Sequence, residues 1–257
     1  MSIKQASLAF ALIWALVTPG ANAPAQERIP KPRTIRAFGY SWLIISQSQE
    51  RGPGPNVFDG RNVYLDGNGN IVLRTSYDVE AAPGGTGQGR WTSAHILLKN
   101  SLGYGRYELK LAPMEKALDR QAVFGFFTWD DDPTFANREI DIEIARWGQS
   151  VAPNLNFAVQ PAEARPERAL SLEFDFSRGA TLSFTWTPQY VDFDVLSPTA
   201  SVSWRFPAEG AARVPFGVPP EGLERIGVNL WLFKGEAPEA ADTVVLAGFT
   251  FIPLPKR

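Results

Sequence analysis

The clearest pattern along the chain is an alternation with a period of two. In Glu139-Ile140-Asp141-Ile142-Glu143-Ile144, three carboxylates alternate with three isoleucines. Successive side chains of a strand point to opposite faces, so the isoleucines are predicted to enter a core and the acids to line the other face. Val228-Asn229-Leu230-Trp231-Leu232-Phe233 alternates in the same way. It should send Val228, Leu230 and Leu232 inward and leave Asn229, Trp231 and Phe233 on the opposite face, which looks like a binding surface. Asp66-Gly67-Asn68-Gly69-Asn70, between Val63-Tyr64-Leu65 and Ile71-Val72-Leu73, is a hairpin signal, because Gly and Asn tolerate positive φ. Further β-like runs cover residues 94–99, 104–111, 122–129, 139–145, 155–160, 169–176, 181–187, 191–196, 201–206, 225–233 and 243–252. Residues 30–55 show only Pro, Gly and polar residues around an aromatic-rich patch at 38–45. No long stretch beyond the N-terminal segment keeps an apolar period of 3.6 residues. Many short strands with Gly, Pro and Asn punctuation predict an all-β, two-sheet sandwich of the jelly-roll kind.

Composition narrows the chemistry. A length of 257 residues fits one all-β domain, and 44% apolar residues allow a sizeable core. The net charge of −2 offers no electrostatic reason to expect nucleic acid as a partner. With no Cys and a single histidine, His95, disulfides and thiolate metal sites are excluded. A His-based metal centre or a Ser-His-Asp triad would depend on that one residue. No cofactor is expected. Asp130-Asp131-Asp132 could ligate calcium, but a solvated turn is the better reading. The N-terminus reads as an export signal: Lys4, an apolar run at 8–17, then Pro19-Gly20 and small residues. The run is too short to span a bilayer. Cleavage after Ala25 is preferred to cleavage after Ala23, which would leave Pro24 beside the cut. The expectation is therefore a signal at 1–25, a single domain at 26–257, no membrane span in the mature chain, a monomer, and a secreted or periplasmic location.

Three carboxylates on one strand face repel, standing about 6.6 Å apart in pairs at a rise of ~3.3 Å per residue. A solvated polar face is the bland explanation. Glycoside hydrolysis supplies a chemical one, because a retaining enzyme needs an ionised nucleophile and a protonated acid about 5–5.5 Å apart. The backbones of Glu139 and Glu143 would lie ~13 Å apart on an ideal strand. Concave curvature and two long side chains leaning inward would close that gap. Asp141 between them could hydrogen-bond one partner and set its proton state, separating acid from nucleophile.

At these residues the chain resembles glycoside hydrolase family 16, the group of laminarinases, lichenases, agarases and xyloglucan transglycosylases. Glu-Ile-Asp-Ile-Glu at 139–143 matches the family's acidic–aliphatic alternation without an inserted residue. Leu102-Gly103-Tyr104-Gly105-Arg106-Tyr107-Glu108, Phe126-Phe127-Thr128-Trp129, Asn154-Leu155-Asn156-Phe157, Phe184-Thr185-Trp186-Thr187-Pro188 and Asn229-Leu230-Trp231 follow in the family's order, over roughly 55–252. The resemblance implies a concanavalin A-like jelly-roll sandwich with a concave substrate cleft. It also implies a retaining endo-type glycosidase of β-linked polysaccharide, with Glu139 as nucleophile, Asp141 as helper and Glu143 as acid/base.

Substrate-binding candidates are Asn229, Trp231, Asn156, Trp129, Trp186 and His95. Rings stack on pyranose faces, and amides bond hydroxyls. Trp147 shares the parity of Glu143. The lichenase-like members carry Glu and Arg where this chain has His95 and Leu97, and Trp where it has Asn137. Their His-Thr-Tyr is replaced by Gly179-Ala180-Thr181. These replacements predict a polymer other than mixed-linkage glucan. Two alternatives share the fold: a transglycosylase, and a non-catalytic carbohydrate-binding protein.

Overall fold

The computed structural model describes residues 33–79, 89–163, 165–209 and 217–255. The expected export signal at 1–25 lies outside them. In chain order the strands are β1 (Thr34–Ala37), β2 (Tyr40–Ile44), β3 (Val63–Leu65), β4 (Ile71–Arg74), β5 (Ser76–Asp78), β6 (Arg90–Thr92), β7 (Ala94–Leu98), β8 (Gly105–Leu111) and β9 (Ala122–Trp129). They continue as β10 (Ile140–Ala145), β11 (Leu155–Val159), β12 (Ala169–Leu172), β13 (Ala180–Trp186), β14 (Val191–Leu196), β15 (Ser201–Phe206), β16 (Arg225–Leu232) and β17 (Thr243–Pro253).

Two antiparallel sheets make the predicted sandwich. One runs β1-β2-β7-β16-β9-β10-β11-β12, the other β15-β14-β13-β8-β17-β4-β3, and β5-β6 form a short ribbon. Ile140, Ile142, Ile144, Val228 and Leu230 all enter the core, as their alternation requires. Between the sheets the core is largely aromatic. Phe126 of β9 meets Phe184 of β13 with ring centroids 5.4 Å apart, and Phe157 of β11 stacks on Phe193 of β14 at 5.1 Å. Such pairs add about 0.5–1.5 kcal/mol each beyond the area they bury. The face left outward on the eight-stranded sheet is therefore free for a site.

The departures from the sequence reading have local causes. The aromatic patch at 38–45 contains β2, paired with β1 through a two-residue turn at Phe38 and Gly39, whose φ values are 58° and 83°. Positive φ at both central residues is the usual hairpin geometry, but Phe at the first of them hides the signal. The run expected at 169–176 stops pairing at Leu172, although Phe174 and Phe176 remain in the core. There the Asn154 side chain takes over, donating to the Phe174 carbonyl at 2.9 Å and accepting from its N–H at 2.8 Å.

Candidate active site

Sheet register assembles the outward face from strands distant in sequence. Glu143 of β10 lies opposite Gly125 of β9, Gly125 opposite Asn229 of β16, and Asn229 opposite His95 of β7. One step along, Asp141 lies opposite Phe127, which faces Gly227, which faces Leu97. Trp129 and Arg225 pair at the next step. The two glycines make room for their large neighbours. A Cβ on Gly125 would sit 2.6 Å from Asn229 Oδ1, and one on Gly227 would sit 2.4 Å from the Phe127 ring. The Asn229 amide and the Phe127 ring thus lie flat over the backbone. Above them is a cleft of about 660 Å³ whose lining includes Glu139, Asp141 and Glu143.

The three carboxyls are held away from water. Asp141 is 4% exposed and the two glutamates are half-buried. Gln160 ties the group down twice. Its N–H donates to the Glu139 carbonyl at 3.0 Å, and its Nε2 donates to Asp141 Oδ2 at 2.9 Å. Burial, then repulsion from Asp141 and Glu143, pushes the Glu139 carboxyl up to about 10. Burial also pushes Asp141 up to about 7, against the hydrogen bonds from Gln160 and Glu139 that hold it down. Glu143 is raised well above the usual carboxylate range by burial and by the Asp141 charge. The trio therefore titrates as a unit and retains protons near neutral pH, with Glu139 and Asp141 joined by a hydrogen bond.

The approach to Glu139 is unusual backbone. Ala136, Asn137 and Arg138 have φ of 51°, 58° and 50°. Left-handed geometry at non-glycine residues costs on the order of 1–3 kcal/mol each and persists only where the surroundings enforce it. Here Thr128 Oγ1 donates to the Arg138 carbonyl at 2.6 Å and accepts the Ile140 N–H at 2.9 Å. The Arg138 guanidinium pairs with Asp130 at 2.9 Å, donates to the Pro220 carbonyl at 3.1 Å and lies over the Phe135 ring. Asn137 Nδ2 donates to the Asp130 carbonyl at 2.9 Å.

The expected sugar contacts divide. Asn229, Trp231, Trp129 and His95 line the cleft with the carboxyls. The Asn229 Oδ1 and His95 Nε2 atoms are buried without a partner. His95 sits between the Phe58 and Phe127 rings, at 5.2 and 5.9 Å. Burial, then the charges of Arg51 and Arg225, pushes it down to about 4, so it is neutral near pH 7. Trp129 is half-buried and donates to Asp131 Oδ1 at 3.1 Å. Trp231 is only 7% exposed and also packs on Trp147, in a small cluster with Phe58, Val123 and Ala145.

Two expectations need correction. Trp186 belongs to β13 in the other sheet, is fully buried, and donates to the Pro219 carbonyl at 3.0 Å, so no sugar can stack on it. Asn156 lies opposite Glu143, as expected from its parity, but both ends of its amide are engaged. Its Nδ2 donates to the Ala145 carbonyl at 3.1 Å, and its Oδ1 accepts from Ser171 Oγ at 2.7 Å. It ties three strands together and is not part of the cleft lining. Asp130 pairs with Arg138, and Asp132 caps the following turn through the Thr134 N–H. Among the described residues no cluster of His, Asp and Glu is arranged to hold a metal ion.

The sequence reading missed Gly125, Gly227, Phe127, Arg51 and Arg225. A glycine inside an apolar strand signals close approach of another group. That was the one local sign available.

No family model matches the chain, and no curated protein matches it in sequence. Solved structures do. A β-1,3-1,4-glucanase (lichenase) derived from a mouse hindgut metagenome superposes with a TM-score of 0.58 at 20% identity, over 83% of this chain and 93% of its own. The laminarinase from Rhodothermus marinus gives 0.57 at 18%, over 82% and 90%. A non-specific endo-β-1,3(4)-glucanase from family GH16 gives 0.54 at 16%, over 81% and 84%. The outward cleft, the acidic strand and these superpositions agree on one architecture: the chain has the jelly-roll sandwich fold of the endo-β-glucanases.

Proposed function

We propose that the chain is a retaining endo-acting glycoside hydrolase of the family 16 type, cutting a β-linked polysaccharide in its cleft. The observation that carries this reading is the set of three carboxyls, Glu139 just before β10 and Asp141 and Glu143 on its outward face, each with raised proton affinity and all lining a cleft in a glucanase fold. Glu139 attacks the anomeric carbon while Glu143 gives its proton to the leaving glycosidic oxygen, forming a covalent glycosyl-enzyme. Glu143, now a base, takes a proton from water, the water oxygen displaces Glu139, and configuration is retained. Before attack Glu139 must be ionised. Asp141 is the group placed to receive its proton across their shared hydrogen bond, and Gln160 orients Asp141 for this. Asn229 and Trp129 contact the sugar beside the reacting centre.

Residues 1–25 are proposed to direct export, and the mature chain to act as a secreted or periplasmic monomer. No helix among the described residues is long and apolar enough to cross a membrane. The deciding experiment measures reducing ends and product sizes from laminarin, mixed-linkage glucan, xyloglucan, agar and carrageenan, for wild type and Glu139→Gln. Wild type should cleave at least one polymer to oligosaccharides, and Glu139→Gln should lose at least about a thousandfold in kcat while keeping its fold. Near-wild-type turnover by the variant would sink the assignment.

A further inference from the structure

The cleft does not end at the carboxyls. Trp129, Asp131 and Arg225 line it and also line an adjoining recess of about 470 Å³ that contains Lys99. Arg51, on the loop before β3, lines the cleft as well. Among the described residues the side chains of Arg51, Arg225 and Lys99 have no hydrogen bond and no ion pair.

The acids nearby do not compensate them. Asp130 is committed to Arg138, and the Glu224 carboxylate accepts from Ser101 Oγ at 2.9 Å and the Gly222 N–H at 2.6 Å. Asp131, which lines both the cleft and the recess, accepts from Trp129 Nε1 at 3.1 Å and forms no ion pair with Arg51, Arg225 or Lys99. The catalytic carboxyls act on one another, whereas Arg51 and Arg225 act on His95. The cleft is thus acidic over β10 and cationic around β7 and the head of β16. A neutral glucan would leave the three cations to water. A guanidinium or ammonium in a half-enclosed groove gains most from an anionic oxygen, which it holds by charge-assisted hydrogen bonds.

We propose that Arg51, Arg225 and Lys99 form a cationic subsite beside Trp129 that takes the anionic substituents, sulfate ester or carboxylate, of an acidic polysaccharide. Trp129 offers its ring to the sugar, and the cations read the charged group that the sugar carries. The proposal rests on the glycosidase reading for the orientation of the polymer, but it can be tested separately.

The test uses the full chain carrying Glu143→Gln, so that bound oligosaccharide is not turned over, and isothermal titration calorimetry with three probes. These are neutral laminari-oligosaccharides, sulfated κ-carrageenan oligosaccharides and uronate oligosaccharides from alginate. At least one acidic probe should bind tenfold or more tightly than the neutral one. That advantage should shrink as salt is raised, as screening of exposed charges requires. Adding Arg51→Gln and Arg225→Gln should lower the ratio of acidic to neutral affinity at least tenfold, and Arg225→Lys should recover part of it. Preference for carrageenan over alginate assigns the anion as sulfate, and the reverse assigns it as carboxylate. Equal or tighter binding of the neutral probe, no binding of either acidic probe, or an unchanged ratio in the double variant would overturn the subsite. If wild type hydrolyses no polymer while the acidic preference and its loss are both seen, the subsite stands and the hydrolase reading falls.

Discussion

At the scale of single residues, the roles turn on which carboxyl holds a proton. Glu139 and Glu143 sit at opposite ends of one alternation, and Asp141 between them is the more deeply buried. If Glu143 is the acid and then the base, Glu143→Ala should slow both formation and breakdown of the glycosyl-enzyme. Azide needs no base catalysis to attack. It should therefore restore the second step with an activated β-linked substrate and yield the β-glycosyl azide. Recovery of the α-azide would mean net inversion, with azide attacking the substrate directly in place of the nucleophile, and would exchange or remove the assigned roles. Residue identity also explains the cleft floor. Gly125 and Gly227 are small so that the Asn229 amide and the Phe127 ring can lie across them.

At the scale of elements, the junction between β9 and β10 decides where Glu139 points. Thr128 supplies both partners that a regular ladder would have provided at this position, accepting the Ile140 N–H and donating to the Arg138 carbonyl. Thr128→Val keeps the shape and removes both bonds. It leaves two buried backbone groups unpaired, at about 1–3 kcal/mol each. The left-handed residues 136–138 should then relax and turn Glu139 away from its target. We expect kcat to fall at least about tenfold with KM within about twofold, because the lost alignment matters mainly in the transition state. Thr128→Ser should retain most of the activity. A change in KM alone, or a loss that Ser does not repair, would show that Thr128 acts only on stability or binding. The same junction was partly legible in advance. The alternation at 139–144 announced the strand and its faces, but within Pro133–Arg138 only Asn137 is of a type that tolerates positive φ, and neither Ala136 nor Arg138 announced a left-handed backbone.

At the scale of the whole molecule, the buried carboxyls tie stability to pH. Glu139 is raised from an ordinary 4.5 to about 10 and Asp141 from 3.8 to about 7. Between those limits the folded state binds more protons than the unfolded one, so stability falls as pH rises. His95 works in the opposite sense, but only between its ordinary 6.5 and about 4, where the unfolded chain binds the extra proton. The carboxyl effect is therefore unopposed by His95 above about pH 6.5. Tm should fall from about pH 6.5 to about pH 9, and Glu139→Gln should flatten that slope and melt higher than wild type at about pH 9. For a domain of this size each kcal/mol corresponds to about 2–4 °C. Identical slopes for wild type and variant would refute the raised proton affinity of Glu139.

Local order was enough to determine much of this protein. Period-two alternation told which side chains of β10 and β16 face the core, because strand geometry allows no other arrangement of successive residues. Turn residues at 66–70 placed a hairpin. Even the error at Trp186 was avoidable, since Ala180, Leu182, Phe184 and Trp186 share one apolar parity and all four are buried. Parity does not say which strands become neighbours, nor in what register. Only the folded sheets bring His95, Gly125, Glu143 and Asn229 into one row, spend the Asn156 amide on Ala145 and Ser171, and leave Arg51 and Arg225 uncompensated over a shared cleft. Such contacts join residues far apart in sequence. They depend on sheet register and on packing between layers, which no window of a few residues contains.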